Sequence, residues 1–302
     1  MIVDLPSLVH PLTEDEFLSS LRRRTPTLVR ADSAQRYETL LDWQTLNHLI
    51  GTAAYPPDRL QVLQESVPIP ALFYVTHRRV AWSALLQFLD MGVRLVFNGL
   101  EDYVPRLGTL RHNITARTAE HISVAAVVTS GHAGVAERQF GYEDVVSLQI
   151  AGTQRWRVYA EPVLNPVKGM PAPKDPRGAP ILDEMVQAGD FLLIPAGYWH
   201  ASDNGPGRSL HVKVLFDPPN GRDLMTAFSR EWISDDTFRR PLTRHASAES
   251  LAAHEKALKV CLVDKVRRWS LGDFLAASAA SNSSGEIRLE GTTDASPGAP
   301  QH

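Results

Sequence analysis

Cysteine is nearly absent from this chain: Cys261 stands alone among 302 residues. An internal disulfide and every thiolate-rich zinc or iron–sulfur site are thereby excluded. Long apolar runs are missing too, and none reaches the roughly 18 residues that a membrane-spanning helix needs. The opening residues, Met1-Ile2-Val3-Asp4-Leu5-Pro6, lack the basic and apolar regions of a secretory leader, so the sequence reads as an unprocessed cytoplasmic protein. Excess charge of one sign is also lacking: 31 basic against 34 acidic side chains give a net charge of −3. A general nucleic-acid binder would carry a basic excess, so neither nucleic acid nor a membrane is expected as a partner. What remains is an ordinary globular composition, 43% hydrophobic and 22% charged, in a chain long enough to bury a core without cross-links. Eleven histidines leave room for a metal site built from imidazoles and carboxylates.

The pattern changes along the chain. Residues 1–120 mix helices with short strands and read as an α/β lead-in. Thr13 and Glu16 form a capping box ahead of Phe17, Leu18 and Leu21. Residues 41–50 repeat the helical spacing, and 82–91 read as a helix stopped by Gly92. Thr27-Leu28-Val29-Arg30, Leu60-Gln61-Val62-Leu63, Phe73-Tyr74-Val75 and Arg94-Leu95-Val96-Phe97 read as extended. Residues 121–218 hold β-rich runs at 122–128, 145–150, 156–159, 191–194 and 210–216, separated by Gly, Pro and Asp turns. Such a series, with no long helix inside it, predicts a sandwich or barrel rather than a parallel α/β sheet. Ala151-Gly152-Thr153-Gln154 is read as a hairpin turn, and the proline-rich stretch 162–180 as a loop. Residues 219–280 turn helical, over 223–232, 248–269 and 270–280, and are expected to pack on the β-core or to join two copies as a homodimer. Residues 281–302, rich in Ser, Gly, Thr, Pro and Ala, are expected to be a disordered tail.

The segment that speaks most directly of chemistry is Gly189-Asp190-Phe191-Leu192-Leu193-Ile194-Pro195-Ala196-Gly197-Tyr198-Trp199-His200. Gly-Asp turns the chain into an apolar strand, Pro195 and Gly197 bend it at the far end, and His200 arrives beside two aromatic residues. A neutral histidine at a barrel mouth binds a metal or is simply hydrogen-bonded in the wall. Upstream stands Asp144-Val145-Val146-Ser147-Leu148-Gln149-Ile150-Ala151-Gly152-Thr153-Gln154-Arg155-Trp156-Arg157-Val158-Tyr159, and downstream Ser209-Leu210-His211-Val212. Together these segments resemble the cupin-like JmjC family of iron(II)- and 2-oxoglutarate-dependent hydroxylases, which includes ribosomal oxygenases. Glu16-Phe17, Thr25-Pro26-Thr27-Leu28-Val29-Arg30, Asp42-Trp43 and Gly92-Val93-Arg94-Leu95-Val96 are similar to the family's lead-in, so the likeness covers about residues 10–245. It implies a mainly β double-stranded β-helix of the jelly-roll or cupin type, with an N-terminal α/β lead-in and a C-terminal helical extension. It also implies Fe(II) held by two histidines and one carboxylate, with 2-oxoglutarate as cosubstrate.

The chain departs from the family at the ligands. The family's first histidine and its carboxylate come from a His-x-Asp motif, which falls here on Gln139-Phe140-Gly141, so His200 alone keeps a ligand position. The basic residue that anchors the far carboxylate of 2-oxoglutarate falls on Gln154, which offers a hydrogen bond without a charge. Three readings stay open. In the first the metal site is rebuilt around His200, with Gln139 as a weak oxygen ligand and a recruit among His132, Glu137, Glu143 and Asp144; Glu143 and Asp144 read as simply as solvated turn residues, and His132 as a loop histidine. In the second Gly141 is a vacant ligand position like that of related iron halogenases, although those keep both histidines. In the third the barrel has left iron chemistry and kept its pocket. His211 and Lys213 lie two residues apart on a strand whose Leu210, Val212 and Val214 are apolar. Facing inward, they join His200 as catalytic candidates, and Lys213 would hold an anionic substrate, replace the 2-oxoglutarate anchor, or serve as acid, base or amine nucleophile. In the opposite register Lys213 faces solvent. Tyr198 and Trp199 line the substrate mouth or pack, and Arg155 and Arg157 point away from Trp156. His112, His121, His245 and His254 read as surface or capping residues, and Arg22-Arg23-Arg24 and Arg239-Arg240 as solvated. The functional expectation is a divergent oxygenase-superfamily enzyme acting on a small molecule or peptide. The alternative is a metal-independent barrel, either an acid/base catalyst such as a cyclase or isomerase or a binding module.

Overall fold

Local start signals set the helices. Asp4, Thr13, Asp42, Asn220, Asp235 and Ser247 each accept a backbone N–H in the first turn of the helix that follows, a partner that the turn cannot supply for itself. The computed structural model describes residues 2–284 apart from 53, 65, 66, 132–136, 172, 175–177, 243 and 244, with the backbone alone for 283 and 284. The helices are α1 (Leu5–Val9), α2 (Glu14–Arg22), α3 (Trp43–Gly51), α4 (Trp82–Asp90), α5 (Pro105–Thr118), α6 (Gly221–Trp232), α7 (Asp236–Arg239), α8 (Ala248–Arg268) and α9 (Leu271–Ser284). The strands begin with β1 (Thr27–Val29), β2 (Leu60–Gln64), β3 (Val67–Pro68), β4 (Val75–Thr76), β5 (Arg79–Val80) and β6 (Arg94–Asn98). They continue with β7 (His121–Ser130), β8 (Asp144–Ala151), β9 (Thr153–Tyr159), β10 (Pro180–Gln187), β11 (Phe191–Ile194), β12 (His200–Asn204) and β13 (Arg208–Asp217). None of the described helices is long and apolar enough to cross a membrane.

Two antiparallel sheets make the barrel. The larger runs β1-β11-β8-β13-β7-β6-β2-β3 and the smaller β10-β9-β12. The Gly152 turn is therefore not a hairpin: β8 pairs with β11 and β13, whereas β9 pairs with β10 and β12. It carries the chain from one sheet to the other. Gly152 sits at φ +72, and a Cβ there would stand 2.5 Å from the Arg208 carbonyl oxygen, so only glycine turns this corner. This two-sheet core with helices at both ends is the fold class expected from the sequence.

Side-chain alternation gives the larger sheet two unlike faces. Outward, Leu95, Phe97, Val124, Val128, Val146, Val214 and Phe216 join Phe17 and the Leu107, Leu110 and Ile114 stripe of α5 in the main core. Inward, a smaller cluster of Trp156, Val158, Val186, Leu192 and Ile194 fills part of the space between the sheets. Several elements differ from the sequence reading. β12 occupies a polar stretch and β10 a mixed one without clean apolar alternation, and α5 fills a stretch given no element. Phe73 ends a 3-10 turn (Ala71–Phe73) rather than lying in a strand. Residues 281–284 of the expected tail are helical, and 285–302 lie outside the described residues.

Candidate functional site

Directly opposed residues in an antiparallel ladder share a face. His211 opposes Val127 of β7 and Gln149 of β8, while Lys213 opposes Ala125 and Ser147. His211 and Lys213 therefore share one face of β13, and Val212 and Val214 take the other. The ring of His211 stands 5.7 Å from that of Trp156, which stands 6.0 Å from that of His200. Their shared face looks across the barrel toward β9 and β12. Arg94 joins it from β6, where Leu95 and Phe97 turn outward to the main core.

The segment that presents His200 is fastened at several points. Gly189 has φ +92 with the Ser33 carbonyl oxygen 2.1 Å from where a Cβ would stand, so a side chain is barred there. The Asp190 carboxylate then accepts from the backbone N–H groups of Ala31 and Gln187 and from Arg30 at 2.9–3.0 Å. Further on, Arg24 donates to the Ala196 carbonyl at 2.5 Å, the Ala196 N–H donates to Asp144 at 2.7 Å, and the Gly197 N–H donates to the Gly141 carbonyl at 2.8 Å. Arg24 and Asp144 are thus bracing residues and not solvated ones, because each meets the loop before β12. Glu143 also departs from the solvated reading. Burial, then Asp217, pushes its carboxyl up to about 7, against Lys168 and Lys213. Burial likewise raises the Asp144 carboxyl, opposed by the Ala196 N–H and Arg24.

His200 opens β12 and is bonded across to Gln139. The Gln139 N–H donates to the His200 carbonyl at 3.0 Å, and the His200 N–H donates to that of Gln139 at 2.8 Å. The Nδ1 of His200 lies 2.9 Å from the Tyr198 carbonyl oxygen, which can only accept, so Nδ1 carries the proton and Nε2 presents a bare lone pair. Burial, then the positive charges of Lys213 and Arg94, push its pKa down to about 4 against the Tyr198 bond. His211 is held well below the ordinary range by the same causes, and both its buried ring nitrogens lack a partner among the described residues. Lys213 is brought down to about 8 by burial and then Arg94, with Glu143 opposing. It lies deep in the protein yet keeps some accessible surface, as does Arg94.

The remaining candidates divide. Gln154 is fully buried on the inner face, its Nε2 donating to Thr129 Oγ1 at 3.2 Å and Asn204 Oδ1 at 3.1 Å, with Oε1 unpartnered. Gly141 offers no side chain, although a Cβ there would meet only Glu143 atoms at 3.6–4.0 Å, an ordinary contact. Tyr198 packs beside the Trp156 cluster. Trp199 takes the packing reading: one residue from inward His200, it turns outward and packs on Phe140 at 5.0 Å with Tyr159 and Ala201. Arg155 and Arg157 also face outward, paired with Asp183 and Asp203. Glu137 is exposed, and His132 lies outside the described residues. His254 corrects its surface reading, being buried among the C-terminal helices with Nε2 3.0 Å from the Thr237 carbonyl. Among the described residues no three His, Cys, Asp or Glu side chains lie together as a metal-binding group. Sequence reasoning missed Arg94, although a lone cation alternating with Leu95 and Phe97 was a visible signal.

Residues 108–224 match the family model described as JmjC domain. Ribosomal oxygenase 1 of Danio rerio is 21% identical over 224 residues, covering 68% of this chain and 39% of that protein. The bifunctional lysine-specific demethylase and histidyl-hydroxylase NO66 of Aedes aegypti is 23% identical over 240 residues, 73% of this chain and 36% of that one. The chain thus spans well under half the length of these two curated relatives. An X-ray structure of YcfD from E. coli superposes with a TM-score of 0.57 at 15% identity, covering 87% of this chain and 71% of that one. The E. coli ribosomal oxygenase YcfD in complex with cobalt and 2-oxoglutarate gives 0.53 at 17% identity, over 85% and 67%. At such identity the likeness establishes the fold.

Proposed function

From the premise that the chain carries a JmjC domain on a cupin-type barrel, we propose that it is a divergent member of the JmjC oxygenase superfamily. In this reading it acts on a small molecule or peptide in the barrel mouth through His200, His211 and Lys213. The names of the curated relatives, a ribosomal oxygenase and a lysine demethylase and histidyl-hydroxylase, support a peptide within that substrate class.

The observation that carries this reading is the pairing of Gln139 with His200. The strand partner of the remaining histidine is an amide, and two residues on stands Gly141. A facial iron site needs two imidazoles and a carboxylate, whereas here one imidazole and a neutral amide face Lys213 and Arg94, whose charges repel a divalent cation. Gln154 likewise supplies no charge for 2-oxoglutarate. The residues present do not fit the standard centre. What they fit is proton transfer: His200 offers a bare Nε2, and Lys213, brought down to about 8, exchanges a proton near neutral pH.

Anaerobic titration with iron(II) tests the reading. The wild-type chain is expected to show no stoichiometric uptake. The double variant Gln139→His with Gly141→Asp is expected to gain about one equivalent, since position 139 already pairs with His200 and position 141 has room. One tight equivalent in the wild type would overturn the proposal. A second reading rests on Glu143, whose Oε2 lies 4.0 Å from where a Cβ at 141 would stand. There Glu143 replaces the missing carboxylate beside His200 and Gln139, and Glu143→Gln abolishes iron uptake by the wild type.

A further inference from the structure

Helix α2 stops on a left-handed residue, and that residue is an arginine. The Arg24 N–H donates to the Leu21 carbonyl at 2.9 Å and the Thr25 N–H to that of Ser20 at 3.0 Å, the paired bonds that close a helix end. The residue between them has a positive φ, which favours glycine or asparagine because a larger side chain crowds the backbone. Arg24 holds it at φ +52. A side chain kept at an unfavourable backbone position is explained by what it reaches.

Arg24 reaches the turn that precedes β12. Its guanidinium donates to the carbonyl of Ala196, 172 residues further on, and stands near enough to Asp144 to act on that carboxylate. Asp144 in turn accepts from the N–H of the same Ala196. Two charged groups thus hold both backbone polar groups of one residue. The rest of the turn is bound as fully: the Gly197 N–H donates to Gly141, the Gly197 carbonyl accepts from Val163 at 2.9 Å, and the Tyr198 N–H donates to Pro195 at 3.2 Å. The Tyr198 carbonyl then meets Nδ1 of His200 at 2.9 Å. The direction of that carbonyl therefore decides which ring nitrogen carries the proton.

We infer that Arg24 is a positioning residue of the candidate site: by fixing the turn from Pro195 to Tyr198, it holds His200 in the tautomer that offers a bare Nε2. The inference rests on the preceding proposal in taking His200 as the working base, whereas the tautomer belongs to the folded chain whatever reaction it serves. The end of α2 is thereby part of the site and not only of the packing among the N-terminal helices.

Nitrogen-15 NMR of the histidine rings in the full chain, with the His200 signals assigned through His200→Gln, tests it. The wild type is expected to show a single His200 tautomer, protonated at Nδ1. Arg24→Gly is the discriminating variant, because glycine suits the helix stop and keeps α2 closed while the guanidinium is removed. Its urea midpoint is expected to stay close to that of the wild type, while His200 loses the single tautomer and exchanges between both. Arg24→Lys, which keeps a donor for the Ala196 carbonyl, is expected to restore the Nδ1–H form, and Arg23→Gln, exposed at the same helix end, to leave it untouched. A wild-type tautomer retained in Arg24→Gly overturns the inference, as does a wild type protonated at Nε2. Should Arg24→Gly fail to fold, Arg24→Gln and Arg24→Lys carry the comparison, and equal tautomers in both overturn it as well. Wild-type iron uptake together with a tautomer that depends on Arg24 would sink the earlier proposal and spare this one; no iron uptake and a tautomer indifferent to Arg24 would do the reverse.

Discussion

The two faces of β13 put opposite chemistry on one strand. Val212, Val214 and Phe216 point outward and are fully buried in the main core, with Phe216 packed 5.8 Å from Phe17. One residue out of phase, His211 and Lys213 point inward, where both ring nitrogens of His211 lack a partner among the described residues and the charge of Lys213 stands between those of Arg94 and Glu143. The outer face contributes apolar burial at about 25 cal/mol per Å², while the inner face gives up part of that gain in unpaired polar groups. Stability and function are thus separated by a single step of the pleat. Phe216→Ala gives the sharpest break of this comparison: removing a large side chain from a closed core is expected to cost about 3–5 kcal/mol. Urea unfolding measures it. A loss near zero would mean that the outer face does not anchor the sheet.

The inner face should answer in the other direction. His211→Leu exchanges two orphaned ring nitrogens for an apolar side chain of similar bulk, and is expected to raise stability by about 1–2 kcal/mol. A destabilised His211→Leu would show that the imidazole is satisfied within the fold and that the two faces differ less than their chemistry suggests.

The sequence showed the strand but not the direction of its faces. Alternation along β13 set His211 and Lys213 on one side, yet which side is inner depends on Trp156 and His200, brought opposite by the smaller sheet. Two of that sheet's strands could not be read from pattern: β12 is His-Ala-Ser-Asp-Asn, and β10 has Val186 as its single buried residue. Each is held by pairing to β9 rather than by its own apolar period. The motif around His200 was legible because Gly189 and Gly197 are demanded by local backbone geometry, with φ +92 and +85. The solvated reading of Arg24, Glu143 and Asp144 fails for the converse reason, since their environment comes from residues distant in sequence. Of its two readings Trp199 takes packing, and Arg94 was overlooked because Lys213, on which it acts, lies on a strand more than a hundred residues away.

Charge offers the mildest test of the two environments. Lys213 and Arg94 make the middle of the inner face positive, whereas Glu120, Glu143, Asp144 and Asp217 gather where β7, β8 and β13 meet the barrel end, each acting electrostatically on at least one other of the group. Burial, then Asp144 and Asp217, push the Glu120 carboxyl up to about 7 from its ordinary 4.5. A carboxyl whose pKa is higher in the folded state gives stability that is complete below 4.5 and is lost as pH rises through 7. The buried imidazoles act the opposite way. With the His200 pKa down at about 4, the stability from its neutral ring is present above its ordinary 6.5 and is lost as pH falls toward 4. Glu120→Gln should therefore leave stability near pH 4 unchanged and raise it near pH 8, by about 1 kcal/mol once solvent screening at this half-buried site is allowed for. Denaturant unfolding at the two pH values decides it. An equal gain at both would place the effect in packing rather than charge, and no gain at either would mean that the acidic end of the barrel is relaxed by solvent, which the basic middle is not.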